Sequence, residues 1–271
     1  MTPILAATDL SDHSERAVLR AAAIARAEGR PLRVVSIAGG DADASSALTH
    51  MDRAQDALDA MLERPELAGL DASAVADAGE PAAMVARAAR DARAALVVLG
   101  SHANRGLGEL GRAPTAVRIV RALSCPALVA VAPADRVWRR AVIGWDGSSA
   151  SSAALALAAR LAPEAALTVC QAHHEPLGGP EAEGRTAEWA RRARAALDEA
   201  MPEALAPRLA EPELLLGGPV RVLLDLAGEG GADLLAVGRH ARSGLMRTIL
   251  GETSTELMLQ APCDVLVAPP R

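Results

Sequence analysis

The 271-residue chain contains no lysine, no tyrosine and no phenylalanine; its only large aromatics are Trp138, Trp145 and Trp189. Arginine therefore supplies all 28 basic side chains. Without lysine there is no Walker-type phosphate loop, no Schiff-base chemistry and no lysine general base. Without a ladder of aromatics there is no platform for stacking nucleic-acid bases, and a formal net charge of −6 opposes the phosphate neutralisation on which such binding depends. Nucleic-acid partners are not expected. Cysteine is also sparse. Cys125, Cys170 and Cys263 are widely spaced and form no CxxC, so they read as small buried hydrophobes with no redox role. Hydrophobic residues reach 51%, yet no uninterrupted apolar run approaches the roughly 20 residues of a membrane span. Met1-Thr2-Pro3 leads directly into a strand-like run ending at Asp9, so neither a secretory leader nor a membrane anchor is expected, and the location expected is cytoplasmic.

What the chain does have is a repeat. Ala95-Leu96-Val97-Val98-Leu99-Gly100-Ser101-His102-Ala103 returns as Asp233-Leu234-Leu235-Ala236-Val237-Gly238-Arg239-His240-Ala241. Asp9 and Asp146, and the turns Gly79-Glu80-Pro81 and Gly217-Gly218-Pro219, keep nearly the same offset, as do the segments around Cys125 and Cys263. A repeat of this length is a duplicated domain rather than a solenoid unit. The polar, proline-bounded stretch Pro133-Ala134-Asp135-Arg136 separates the copies, giving domains over 1–134 and 138–271.

Each copy alternates short β-rich runs with helical patterns. Strands are predicted at Ile4 to Thr8, Leu32 to Ala38, Ser73 to Asp77, Leu96 to Gly100 and Ala127 to Val131. Ala17, Ala21, Ile24 and Ala25 recur at the spacing of one buried helix face, as do Ala150, Ala153, Ala154, Leu157 and Leu161 in the second copy. Runs such as Leu234-Leu235-Ala236-Val237 are continuously apolar, the mark of strands covered on both faces. The fold class predicted is α/β: two tandem Rossmann-like domains, each an open parallel five-stranded sheet with helices on both faces. Such sheets bind ligands beyond the carboxyl ends of their strands, where Asp9, Gly100, Asp146 and Gly238 all fall.

The loop after the fourth strand of the second copy runs Gly238-x2-Ala241-x9-Gly251-Glu252, followed by Thr253-Ser254 at a helix start. A flexible loop feeding a helix N-terminus can turn successive N–H groups toward a phosphate. Here, together with Ala7-Thr8-Asp9-Leu10-Ser11 and Gly144-Trp145-Asp146-Gly147-Ser148, the chain resembles the universal stress protein family in its tandem form. The resemblance covers both halves. That family's loop reads G-x2-G-x9-G-S/T, and members that keep it bind ATP. Carried over, it implies an adenine-nucleotide (ATP) site in the second copy from Asp146, Ala172, Val237, Gly238, Ala241, Gly251, Glu252, Thr253 and Ser254, with no metal. Ala241 stands where the family has glycine, and Glu252 puts a carboxylate where it has a hydroxyl. In the first copy the same count lands on Ala113-Pro114, and proline has no N–H. That copy reads as structural, with Asp9, Ile37 and Gly100 as an adenosine-side remnant. The resemblance also implies pairing of the two domains within one chain through their terminal strands, and leaves homodimerisation open.

Simpler readings stand beside these. Asp9 and Asp146 are equally suited to capping the following helix. His102 and His240 suit a hydrogen-bonding role in the turn. His173-His174-Glu175 lacks the i, i+4 spacing of a metal site on one helix face. Arg239 and Arg242 are either surface charge or phosphate partners. No Gly-x-Ser-x-Gly elbow and no paired acid and base are present, so no catalytic residue is assigned and at most a feeble ATPase is expected. Two functions follow: an adenine-nucleotide-binding regulatory module of the stress response, or a family member that has lost nucleotide binding and works by dimerisation.

Overall fold

The computed structural model describes residues 1–38, 44–101, 113–173, 187–192, 194–195, 207–239 and 251–270, with residues 44–48 and 173 described by backbone alone. The chain divides into two units, Met1–Arg136 and Val137–Arg271. The first unit runs β1 (Ile4–Thr8), α1 (Asp12–Glu28), β2 (Leu32–Ala38), α2 (Ala44–Leu62), β3 (Ala72–Ala78), α3 (Pro81–Asp91), β4 (Leu96–Gly100), α4 (Thr115–Ala122) and β5 (Ala127–Ala130). Its strands lie in the order β3-β2-β1-β4-β5, each neighbouring pair parallel. The second unit runs β6 (Arg140–Gly144), α5 (Ser149–Leu161), β7 (Ala166–His173), β8 (Glu213–Leu216), α6 (Pro219–Gly228), β9 (Leu234–Gly238), α7 (Glu252–Gln260) and β10 (Asp264–Ala268). Its order, β8-β7-β6-β9-β10, is again parallel throughout.

The direction of winding reverses between β1 and β4, and between β6 and β9. There the connections leave toward opposite sides and open a crevice at the strands' carboxyl ends. The central strands are buried on both faces: Ile4, Leu5 and Ala6 in β1 and Leu234, Leu235 and Ala236 in β9 are at most 1% exposed. Edge strands differ. β3 is half-exposed, with Val75 facing out, and Leu216 of β8 is exposed, because an edge strand has a neighbour on only one side.

Alanine governs how closely the helices approach. In α1 the buried residues include Ala17, Val18, Ala21, Ala22, Ile24 and Ala25. In α5 burial extends beyond the predicted stripe to Ser151, Leu155 and Ala158, while Leu161 stays half-exposed. Small side chains let this helix sink against the sheet, so more than one stripe is covered.

The segment between the units is anchored on both sides. Arg20 of α1, buried at 4% exposure, donates from Nη1 to the Arg136 carbonyl (2.9 Å) and from Nη2 to that of Pro133 (2.8 Å). Beyond the boundary, Asp233 Oδ2 accepts from the backbone N–H groups of Arg139 (2.8 Å) and Arg140 (3.1 Å). The Trp138 indole donates to Asp264 Oδ2 at 2.9 Å.

Candidate functional site

The first strand of each unit ends in a turn built on an aspartate. Ser148 N–H donates to Asp146 Oδ1 at 3.0 Å, and Ser11 N–H donates to Asp9 Oδ1 at 3.1 Å with the Ser11 hydroxyl bonded to the same oxygen. Each aspartate is thus tied into its own turn. The helix caps are the serines: Ser148 Oγ accepts from Ser151 N–H (3.1 Å), and Ser11 is the N-cap of α1. The capping alternative for Asp9 and Asp146 therefore falls to the residues two positions on. Between aspartate and serine the chain must adopt a left-handed conformation, taken by Gly147 at φ 77° and by Leu10 at φ 62°.

The fourth strand of each unit ends in glycine for a packing reason. A Cβ on Gly238 would sit 2.6 Å from the Ala150 carbonyl carbon and 2.6 Å from Ser151 N; one on Gly100 would sit 2.9 Å from Ser14 Cα. The opening turn of α5 or α1 thus lies against the strand end, which accounts for both glycines whether or not a ligand is present.

These turns frame one cleft per unit. In the second unit Asp146, Ala172, Val237, Gly238, Gly251, Thr253 and Ser254 line a single cavity of ≈ 190 Å³. Glu252 is exposed at the first position of α7 and is not on that wall, while Ala241 lies outside the described residues. The N-cap of α7 is Gly251, and among the described residues no side chain caps the first-turn N–H groups. They are suited to an anion by geometry and dipole, though Glu252 already places a negative charge at this helix end. The Ser254 hydroxyl, 3% exposed, donates to the Gly238 carbonyl at 3.2 Å and so pins α7 to β9; Thr253 carries the half-exposed hydroxyl of the turn.

Sequence reasoning missed the walls contributed by Cys170, Gln171, Pro219 and Leu223, and Trp145 beside Asp146 lies on the same wall. Trp145 and Gln171 are chain neighbours of Asp146 and Ala172, and that adjacency was the available signal. The Cys170 thiol is pushed up to about 12 by burial and then by Glu213, which makes it an uncharged part of the wall.

The first unit keeps a cleft of ≈ 200 Å³, lined by Asp9, Ile37 and Gly100 together with His13, Ser101 and Thr115. Pro114 is the N-cap of α4, which begins at Thr115, one position later in the repeat than α7. The proline removes its own N–H but leaves those of the first turn behind it. Thr115 and Thr253, equivalent in the repeat, both face their clefts.

Other candidates resolve simply. Arg239 is 3% exposed, so it is no surface charge, and its backbone N–H donates to the Ala268 carbonyl at 2.7 Å. His102, His174, Glu175, His240 and Arg242 lie outside the described residues. Among the described residues no group of three or more His, Cys, Asp or Glu is placed to hold a metal, and no helix is long and apolar enough to cross a membrane.

A family model described as the universal stress protein family matches residues 1–130 and again 138–269. Among solved structures, a universal stress protein from Archaeoglobus fulgidus DSM 4304 is 19% identical, with 99% of this chain and 96% of that one covered at a TM-score of 0.74. A protein from Pseudomonas aeruginosa UCBPP-PA14 assigned to the same family is 20% identical, with 100% and 94% covered at a TM-score of 0.66. At such identities the likeness speaks for the fold. No curated protein matches the chain. With both halves matched by one family model over the fold and clefts described, the chain belongs to the universal stress protein family.

Proposed function

We propose that the protein is a regulatory binding module of the stress response whose second domain holds an adenine nucleotide, ATP by the family resemblance, without being a dedicated enzyme. The observation that carries this reading is the convergence of Asp146, Ala172, Gly238, Gly251 and Thr253 on one cavity beside a helix N-terminus that, among the described residues, no side chain caps. The strand-end residues suit the nucleoside, and the α7 turn suits phosphate. Glu252 favours the second reading, an interaction protein without nucleotide, because a carboxylate at the first helical position repels the charge the site would receive.

The decisive experiment titrates ATP into the wild type and the double variant Ala241→Gly, Glu252→Ser, which restores the family loop. Removing a carboxylate and gaining a hydroxyl favours the phosphates by on the order of 1–3 kcal/mol, roughly five- to a hundred-fold in affinity. No gain in the restored loop, with Asp146→Ala also unchanged, rejects the site. Pairing of the two domains through their terminal strands belongs to the same proposal and also rests on the resemblance. Amide exchange over 127–130 and 264–268 as slow as in central strands supports it; exchange as fast as in loops opposes it.

A further inference from the structure

β3 is the outer strand at one end of the first unit's sheet, and the ladder to β2 fixes which of its groups face away. Leu32 N–H donates to the Asp71 carbonyl at 2.8 Å, and Gly79 N–H donates to the Ala38 carbonyl at 3.0 Å. In a parallel register that pairs Leu32 with Ala72, the odd-numbered residues of β3 therefore bond to β2. The N–H and C=O groups of Ala72, Ala74, Ala76 and Ala78 point to the open edge. Such a row is a template for another strand.

A side chain already stands there. Gln55 reaches over from α2: its Oε1 accepts from Ala76 N–H at 3.0 Å, and its Nε2 donates to the Ala74 carbonyl at 3.4 Å. Nε2 also donates to Asp59 Oδ1, one helical turn on, at 2.8 Å. Ala76 offers a donor whereas Ala74 and Asp59 offer acceptors, so only one orientation of the carboxamide satisfies all three. A residue of a parallel neighbour bonds in the same way, its N–H to one residue and its C=O to the residue two further on. The next outward N–H, that of Ala78, is taken by Asp77 Oδ1 at 2.8 Å, while Arg87 holds Asp77 Oδ2 at 2.9 Å.

We propose that Gln55 closes the β3 edge against a second copy of this chain, its carboxamide serving as one residue of a neighbouring strand. The partner excluded is indicated by β3 itself. Antiparallel pairing of two β3 strands about a two-fold axis at Val75 sets Ala74 of one chain opposite Ala76 of the other, so it needs the same two groups that Gln55 holds. Residues 72–76 carry no charge to oppose it. The Val75 side chains, 51% exposed, would meet across the axis and be covered. Self-pairing thus has an apolar driving force, and Gln55 withholds the hydrogen bonds it requires.

The test uses the full chain. In wild-type protein the Ala76 amide is expected to exchange about ten-fold more slowly than that of Ala74, the worth of one neutral hydrogen bond, although both face the edge. Gln55→Met keeps the length and helix preference of the side chain and deletes both bonds to β3, and Gln55→Ala also removes its bulk. In dilute solution both variants should exchange Ala76 as fast as Ala74. As concentration rises, their mass by light scattering should exceed that of wild type, and the Ala74 and Ala76 amides should slow together. Wild-type exchange at Ala76 as fast as at Ala74 overturns the proposal, and it needs no variant. Variants whose mass follows wild type up to the solubility limit overturn it too, as does an association that leaves Ala74 unprotected, since the contact then lies elsewhere.

Discussion

Position by position, the two copies solve the same local problem with different residues, and the comparison isolates what each residue costs. Leu10 and Gly147 occupy the same left-handed turn, at φ 62° and 77°. A Cβ in that conformation costs roughly 1–2 kcal/mol, against about 0.5–1 kcal/mol for the extra freedom glycine loses on folding. Leu10 is only half-buried and so returns little of the difference. Leu10→Gly is expected to stabilise the first unit by about 0.5–1 kcal/mol, and Gly147→Leu to destabilise the second by a similar or larger amount. Denaturant midpoints that move oppositely in the two variants, at unchanged slope, would show this; a lower midpoint for Leu10→Gly would mean that the leucine side chain contributes more than the strain removes.

Elements are held at their spacings by matched pairs of residues. Gly144 ends β6, and a Cβ there would lie 2.9 Å from Leu223 Cδ1 of α6 and 3.2 Å from Val237 Cγ1. The repeat places Ala7 and Val85 at the corresponding positions, a larger strand residue facing a smaller helix residue. Gly144→Ala alone overpacks the contact and is expected to cost about 1 kcal/mol, and adding Leu223→Val should recover most of it. A double-mutant cycle without coupling of at least about 0.5 kcal/mol would show that the helix simply shifts. This is also where sequence reading reached its limit. Central strands and the alanine face of α1 were legible because continuous apolar runs and a 3.6-residue period are both properties of single elements. The half-exposed β3, the wider buried face of α5 and the contact between Gly238 and the start of α5 arise only when elements meet. Gly238 drew notice through its loop motif, and besides lining the cleft it is constrained by a backbone 2.6 Å away, which no spacing along the chain encodes.

For the whole molecule, duplication leaves two clefts of nearly equal size but unequal chemistry. The first, ≈ 200 Å³, is edged by Asp9, His13, Ser101 and Thr115; the second, ≈ 190 Å³, presents Asp146, Trp145 and the glycine-led turn at Gly251. Size therefore does not decide which copy binds. On the nucleotide reading proposed above, the distinction falls to the helix start: the first copy has Ala113-Pro114 where the second has Gly251-Glu252, so α4 starts one residue later and Pro114 brings no N–H. On that reading Glu252 opposes the phosphates alone, whereas Pro114 removes a donor from the start of the first copy's helix. Calorimetric titration of the full chain with ATP should accordingly give one site per chain. Asp146→Ala is expected to weaken that site by roughly ten-fold or more, the loss of one charge-assisted hydrogen bond, while Asp9→Ala leaves both affinity and stoichiometry unchanged. Two equivalent sites, or a single site that responds to Asp9→Ala and ignores Asp146→Ala, would assign the function to the first copy and make its altered loop the working form.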